Sequence, residues 1–156
     1  MRPTLYMLIG VPASGKSTWV NNFLSGTVVY VSSDYFVEKF AQKMGKTYSE
    51  VFDQVAPRAT RLMMRRVEKA SHEGKDIVWD QTNTSAKARR RKLRVLDHYN
   101  AVAVVFATPP KDVLDARLAN RPGKTIPDFV MKRMINSFEY PTRDEGFSDI
   151  WDINYE

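Results

Sequence analysis

Residues 10–18 read Gly10-Val11-Pro12-Ala13-Ser14-Gly15-Lys16-Ser17-Thr18, a full match to G-x-x-x-x-G-K-[ST]. This spacing is suited to holding the phosphates of a nucleotide. Gly10 and Gly15 permit backbone conformations that bulkier residues resist, so that successive N–H groups can approach an anion. Pro12, Ala13 and Ser14 form the rest of the loop. Lys16 adds a full positive charge, Ser17 a hydroxyl for Mg²⁺, and Thr18 continues the turn. By chance alone, roughly one chain of this length in a few hundred carries the bare pattern. The flanks lower that figure: Leu5-Tyr6-Met7-Leu8-Ile9 precedes the loop as an apolar run of strand length, and residues 17–24 follow with helical spacing. A helix starting at the loop also aims its positive dipole end at the bound phosphates.

Three further groups carry candidate chemistry. Asp34 directly follows a β-branched run at 27–31, where a carboxylate could orient an acceptor hydroxyl and take its proton, or cap the helix that follows. Asp80 ends the apolar run Ile77-Val78-Trp79, where an acid could reach Mg²⁺ through water; Gln81, Thr82 and Asn83 continue as a polar loop on the same edge. Arg117 and Arg121 stand four apart on a helical face, ahead of Pro122-Gly123-Lys124-Thr125. This reads as a mobile arginine lid over about residues 117–126, able to offset charge on a transferring phosphoryl group. The densest basic run, Arg89-Arg90-Arg91-Lys92 with Arg94, should splay around a helix whose Leu93, Leu96 and Tyr99 face a sheet. It is either a solvated face or a contact for a phosphate backbone.

The elements that must position these groups alternate. Strands are expected at 5–11, 27–31, 77–79, 101–107 and 150–155. Helices are expected at 17–25, 34–44, 49–73, 84–99, 109–120 and 127–139. The long helix should bend or break at Pro57, which has no amide donor. Thr84 or Ser85 should cap the helix before the basic run, and Thr108 the one opened by Pro109 and Pro110. Trp19 and Trp79 belong to the core. This alternation predicts an α/β fold of the P-loop NTPase type: a three-layer sandwich with a central, mostly parallel sheet of about five strands and helices on both faces. Ligands in such sheets gather at the carboxyl ends of the strands, where the candidate groups fall.

The bulk properties bound the rest. The 156 residues suit one domain, 1–156, with 43% hydrophobic and 27% charged residues. There is no cysteine, which removes disulfides and thiolate metal sites. His72 and His98 fall near helix C-termini and form no metal cluster. No apolar run is long enough for a membrane helix and the start resembles no signal peptide, so a cytoplasmic location and no membrane partner are expected. The formal charge of +6 points to an anionic partner, nucleic acid first.

Taken together, these motifs resemble the kinase domain of the bacteriophage and repair-type polynucleotide 5′-hydroxyl kinases, within the broader P-loop kinases. The resemblance covers nearly the whole chain. It rests on the loop from Gly10 to Trp19, Val31-Ser32-Ser33-Asp34-Tyr35, Trp79-Asp80-Gln81-Thr82-Asn83, Arg117 through Arg121 with Gly123-Lys124 and Ile126-Pro127, and the segment from Ser137 to Phe147. It implies a kinase dependent on Mg²⁺ and ATP or another NTP, acting on 5′ ends of RNA or DNA in nucleic-acid repair. In a phage this would be in the host cytoplasm, with a ligase or phosphatase in the same pathway. Lys16, Asp34 and Arg121 would be catalytic, and the loop with Arg117 and Arg121 would bind the nucleotide. Asp34, Asp80, Thr82 and Asn83 would line the acceptor side, and Ser17 would bind the metal. The family's arginines before and after its base are here Ser33 and Val37, leaving Lys39 or the helical arginines to replace them. Two alternatives stay open: a small-molecule kinase acting on a nucleoside, sugar or antibiotic hydroxyl, and an NTP-driven nucleic-acid-binding module.

Overall fold

The computed structural model describes residues 1–23 and 25–155. Five strands form one sheet: β1 (Thr4–Ile9), β2 (Val29–Val31), β3 (Ile77–Asp80), β4 (Asn100–Phe106) and β5 (Phe147–Ile153). Their order is β2-β3-β1-β4-β5, and every pairing is parallel. The helices are α1 (Lys16–Phe23), α2 (Ser33–Met44), α3 (Tyr48–His72), α4 (Ala86–Val95), α5 (Lys111–Ala119) and α6 (Asp128–Asn136), with a 3₁₀ turn at Arg143–Glu145. The expected α/β sandwich with a parallel sheet is the fold observed.

Strand periodicity explains the layers. On β1, Leu5, Met7 and Ile9 point to one face and pack with Trp79, Ala103 and Val105 against Met63, Val67 and Ala70 of α3. Leu8 points to the other face, with Val78, Val104 and Phe106, against Val20 of α1. Because both faces are covered, β1 and β4 are apolar almost throughout. β1 lies in the middle of the sheet, so the glycine loop leaves from its best-anchored strand.

Helix α3 runs continuously through Pro57, so the helix is not broken there. Its buried stripe, Val51, Val55, Ala59, Met63, Val67 and Ala70, keeps helical spacing across the proline. Pro57 and Asp53, whose carbonyl loses its amide partner, both lie at the surface. The helix also starts earlier than expected, because Thr47 and Glu50 form a reciprocal capping box. Of the two candidate caps for α4, Ser85 accepts the amide of Ala88 at 3.1 Å. Thr108 caps nothing; α5 opens after Pro110 without a side-chain cap. Strand β5 begins three residues before the expected 150, since an edge strand tolerates the exposed Ser148 and Asp149 that obscured its pattern. No helix among the described residues is long and apolar enough to cross a membrane.

The basic run does not behave as a splayed, solvated face. Arg89 is fully buried. Its guanidinium forms a fork with Glu145 at 2.8 and 3.2 Å and donates to the Asn83 carbonyl at 2.9 Å. Lys92 is drawn in as well: its ammonium bonds the Asn83 side-chain oxygen and lies 5.5 Å from the Trp79 ring. Burial, then the charge of Arg91, lowers its pKa to about 8. Only Arg90, Arg91 and Arg94 remain exposed.

Candidate active site

The carboxyl ends of β1, β2 and β3 open into one cleft of about 1910 Å³. The glycine loop forms its floor. A side chain at Gly10 would place Cβ 2.6 Å from Ser14 Oγ, and Gly15 has φ +103°, so both positions need glycine. The Gly10 amide donates to the Thr82 carbonyl at 2.9 Å, tying the loop to the end of β3. Lys16 begins α1 and donates to the Gly10 carbonyl at 2.8 Å. Burial lowers its pKa to about 8; Asp80 and Asp34 work against that shift, while Arg121 and Lys124 add to it. Ser17 and Thr18 are exposed to the cleft in the first turn of α1.

Asp34 enters from the second wall. The N-cap position of α2 is Ser32, so the Asp34 carboxylate lies in the first turn and is not the cap. Its Oδ1 accepts the phenol of Tyr48 at 2.5 Å, and its Oδ2 accepts Lys124 at 3.2 Å. Burial first, then the hydrogen bond to Asp34, pushes the Tyr48 phenol well up, so it stays a donor. Gln81 braces this wall: it accepts from the Trp79 indole at 3.1 Å and donates to Ser33 at 3.0 Å, one residue before Asp34. Asp80 accepts from Tyr30 at 2.5 Å; burial raises its pKa, opposed by that bond and by Lys16.

The third wall is the arginine segment. Arg121 lines the cleft, and its Nη1 is buried without a hydrogen-bond partner among the described residues, as is Ser14 Oγ. Arg117 donates to the Ala13 carbonyl at 3.0 Å and so braces the loop. Residues 123–125 are docked on the start of α3: the Ser49 amide donates to Gly123 at 2.9 Å, and the Thr125 amide donates to Ser49 Oγ at 3.0 Å. Lys124 thereby reaches Asp34, Glu38 at 3.3 Å and the Tyr48 ring at 4.5 Å.

The cleft therefore gathers Pro12 through Thr18, Asp34, Asp80, Thr82, Arg117 and Arg121. Asn83 is not among them. It is buried, with φ +50°, and donates to the Leu8 carbonyl at 2.8 Å, which makes it a brace between β1, β3 and α4. Sequence reasoning gave no role to Tyr48 and treated Lys124 only as part of a basic segment. Neither carries a local signal, because each acquires its role by crossing from another element. The partly buried lysine, the glycine loop and the two buried polar atoms left unpartnered among the described residues fit a polyphosphate. No group of three or more His, Asp or Glu among the described residues could hold a metal alone, so a Mg²⁺ here would depend on Ser17 and phosphate oxygens.

Fold and site together define a P-loop kinase-like domain. The profile of the AAA domain family matches residues 5–141, and the chain belongs to that family. Among solved structures, a candidate kinase from Chloroflexus aurantiacus superposes with a TM-score of 0.71 and 17% identity, over 99% of this chain and 89% of that one. A chain of the Pnkp1/Rnl/Hen1 RNA repair complex gives 0.67 and 22%, over 87% of this chain and 44% of its own length. A sugar kinase from Janibacter sp. gives 0.61 and 15%, over 99% and 86%. At 22% identity or less, each likeness is one of fold.

Proposed function

We propose that the protein is a kinase that moves the γ-phosphoryl group of ATP or another NTP to the 5′-hydroxyl end of a nucleic-acid strand. The observation that carries phosphoryl transfer is the convergence of Lys16 of α1, Asp34 of α2 and Arg121 of the segment after α5 on one cleft. In this reading the loop amides and Lys16 hold the β- and γ-phosphates. Ser17 would hold Mg²⁺, with Asp80 able to reach it through water, and the ion would supply charge neutralisation at those phosphates. Asp34 accepts the proton of the acceptor hydroxyl as its oxygen bonds to phosphorus and the bond from the γ-phosphorus to the β–γ bridging oxygen breaks, releasing the diphosphate. Arg121 offsets charge on the group in transit. The net charge and the fold likeness to a chain of an RNA repair complex support a polynucleotide acceptor.

A second reading, a small neutral acceptor, is favoured by the acidic residues Glu38 and Asp53, which line the cleft together with Asp34 and offset its cations. Transfer of labelled γ-phosphate to a panel of 5′-hydroxyl oligonucleotides, nucleosides and sugars separates the two. The polymer reading expects oligonucleotides to be preferred, with KM rising in salt at a slope of about 0.7 per phosphate contacted. A nucleoside phosphorylated as efficiently as an oligomer with the same 5′ end would overturn it.

Two results should follow from the local chemistry. Tyr48→Phe should lower kcat about tenfold at an unchanged KM for ATP, since a hydrogen bond to a charged group is worth about 1.5–3 kcal/mol. A wild-type kcat in this variant would show that Asp34 needs no such brace. Lys16 is charged below its pKa of about 8 and neutral above it. Bound phosphates raise that pKa, so the Kd for ATP should climb above about pH 8, by up to tenfold per pH unit. Calorimetric titration from about pH 7 to 9.5 tests this, and a flat Kd would remove Lys16 from phosphate binding.

A further inference from the structure

Helix α2 carries a second surface that the cleft does not use. Tyr35, Lys39 and Lys43 are spaced i, i+4, i+8, so they form one stripe along the helix, and all three are exposed. The stripe borders a hollow of about 630 Å³ whose floor includes Phe40 and Leu62 and which contains no acidic residue. Cations already lie on its rings: the Lys39 ammonium is 5.3 Å from the Tyr35 ring, and the Arg58 guanidinium is 5.5 Å from the Phe40 ring. Tyr35 lines both this hollow and the main cleft, directly after Asp34.

Charge separates the two sides of Tyr35. Toward the cleft stand Asp53 and Glu38, the latter paired with Lys124; toward the hollow stand Lys39 and Lys43, with Arg58 over the Phe40 ring. A chain of phosphates leaving Asp34 meets mixed charge on the first path and only cations on the second. An exposed aromatic ring followed by cations at regular intervals is the pattern that holds single strands, with bases stacked and phosphates paired. From Asp34 to Lys43 the helix rises about 13.5 Å. That is the length of about four stacked nucleotides at about 3.4 Å each.

We propose that the Tyr35–Lys39–Lys43 face of α2 is the acceptor track: the terminal base stacks on Tyr35, and the phosphates behind it run along Lys39, Lys43 and Arg58. The track rests on the polynucleotide reading above and adds the path of the strand. It fits the other engagements of Ser33 and Val37: Ser33 accepts from Gln81, and Val37 is buried in the α2–α3 core.

The test is binding of a 3′-fluorescein, 5′-hydroxyl single strand of about eight nucleotides by anisotropy, with steady-state transfer beside it. Tyr35→Ala should weaken binding about tenfold, since one base stack is worth about 1–3 kcal/mol. The Lys39→Gln/Lys43→Gln pair should flatten the dependence of log Kd on log salt by about 1.4, two contacts at about 0.7 each. Lys69→Gln, at the far end of α3, is the control for net charge and should leave the slope alone. All positions are exposed, and unchanged thermal unfolding confirms folding. Wild-type binding and slope in both track variants, with oligonucleotides still phosphorylated, would overturn the track and leave the kinase reading standing. If the wild-type protein phosphorylates no oligonucleotide at all, the polynucleotide reading itself falls.

Discussion

Asp34→Asn should lower phosphoryl transfer by about 10²- to 10⁴-fold while ATP binding stays within a few-fold of wild type. The change keeps the shape of the side chain and its acceptor oxygen, so Tyr48 can still donate. It removes the basicity that takes the acceptor's proton, and the ion pair with Lys124. Helix α2 should not suffer, because Ser32, not Asp34, occupies its N-cap position. One side effect is foreseeable. The Asp34 charge helps keep Lys16 protonated, so the variant lowers the Lys16 pKa below about 8. Assays at or below about pH 7 with saturating ATP favour the charged lysine in both proteins, because bound phosphates raise its pKa. Single-turnover rates with the best acceptor of the panel, alongside an ATP titration, give the comparison. Turnover above a tenth of wild type would mean that this carboxylate does not take the proton.

The largest stability effect should come from Arg89→Met. The wild-type guanidinium is 0% exposed and Glu145 17% exposed. Removing one partner of a buried ion pair typically costs about 3–5 kcal/mol, since the other charge is left without its counterion. The Asn83 carbonyl also loses a donor. For a domain of this size, the low end corresponds to a fall in Tm of about 6–12 °C. Arg89→Met with Glu145→Leu should recover part of the loss, because both charges are then gone. The pair also adds a pH dependence. Burial alone would raise the Glu145 pKa, but its bonds from Arg89 and the Thr142 amide outweigh burial and leave it below the usual range of a glutamate carboxyl. A depressed carboxylate contributes stability above its unfolded pKa and loses it as the pH falls through the folded one. Urea unfolding curves of wild type and variant should therefore differ at pH 7 and draw together as the pH falls through the lowered Glu145 pKa. A variant as stable as wild type at pH 7 would contradict the assigned role.

These two residues mark what was legible in the sequence. The glycine loop was, because its chemistry is backbone geometry and one lysine within nine residues. The order of strands and helices was, because apolar periodicity is local. Asp34 could be placed at the end of its strand, but whether it capped α2 depended on Ser32 taking that position. Arg89 looked like any other member of a basic run. Its burial depends on Glu145, a residue that no local pattern links to it. Asn83, read as part of an acceptor loop, is claimed by Arg89 and Lys92 for the same reason. Pro57 should have broken a helix on local grounds, and the continuous stripe beneath α3 overrode it. Tyr48 and Lys124 meet Asp34 only because the corner between α2 and α3 and the arginine segment fold onto one another.

The Arg89–Glu145 fork also sets an order of events in synthesis. A ribosome delivers Arg89 well before Glu145, which stands 56 positions later. Until the turn at Arg143–Glu145 emerges, seating α4 on the sheet would bury a cation with no counterion. An α4 docked before then would have to stay loose and hydrated around that charge. Glu145 would allow it to seat, and β5 begins two residues later, at Phe147. Closing the fourth helix and adding the fifth strand would then fall in one late step of synthesis.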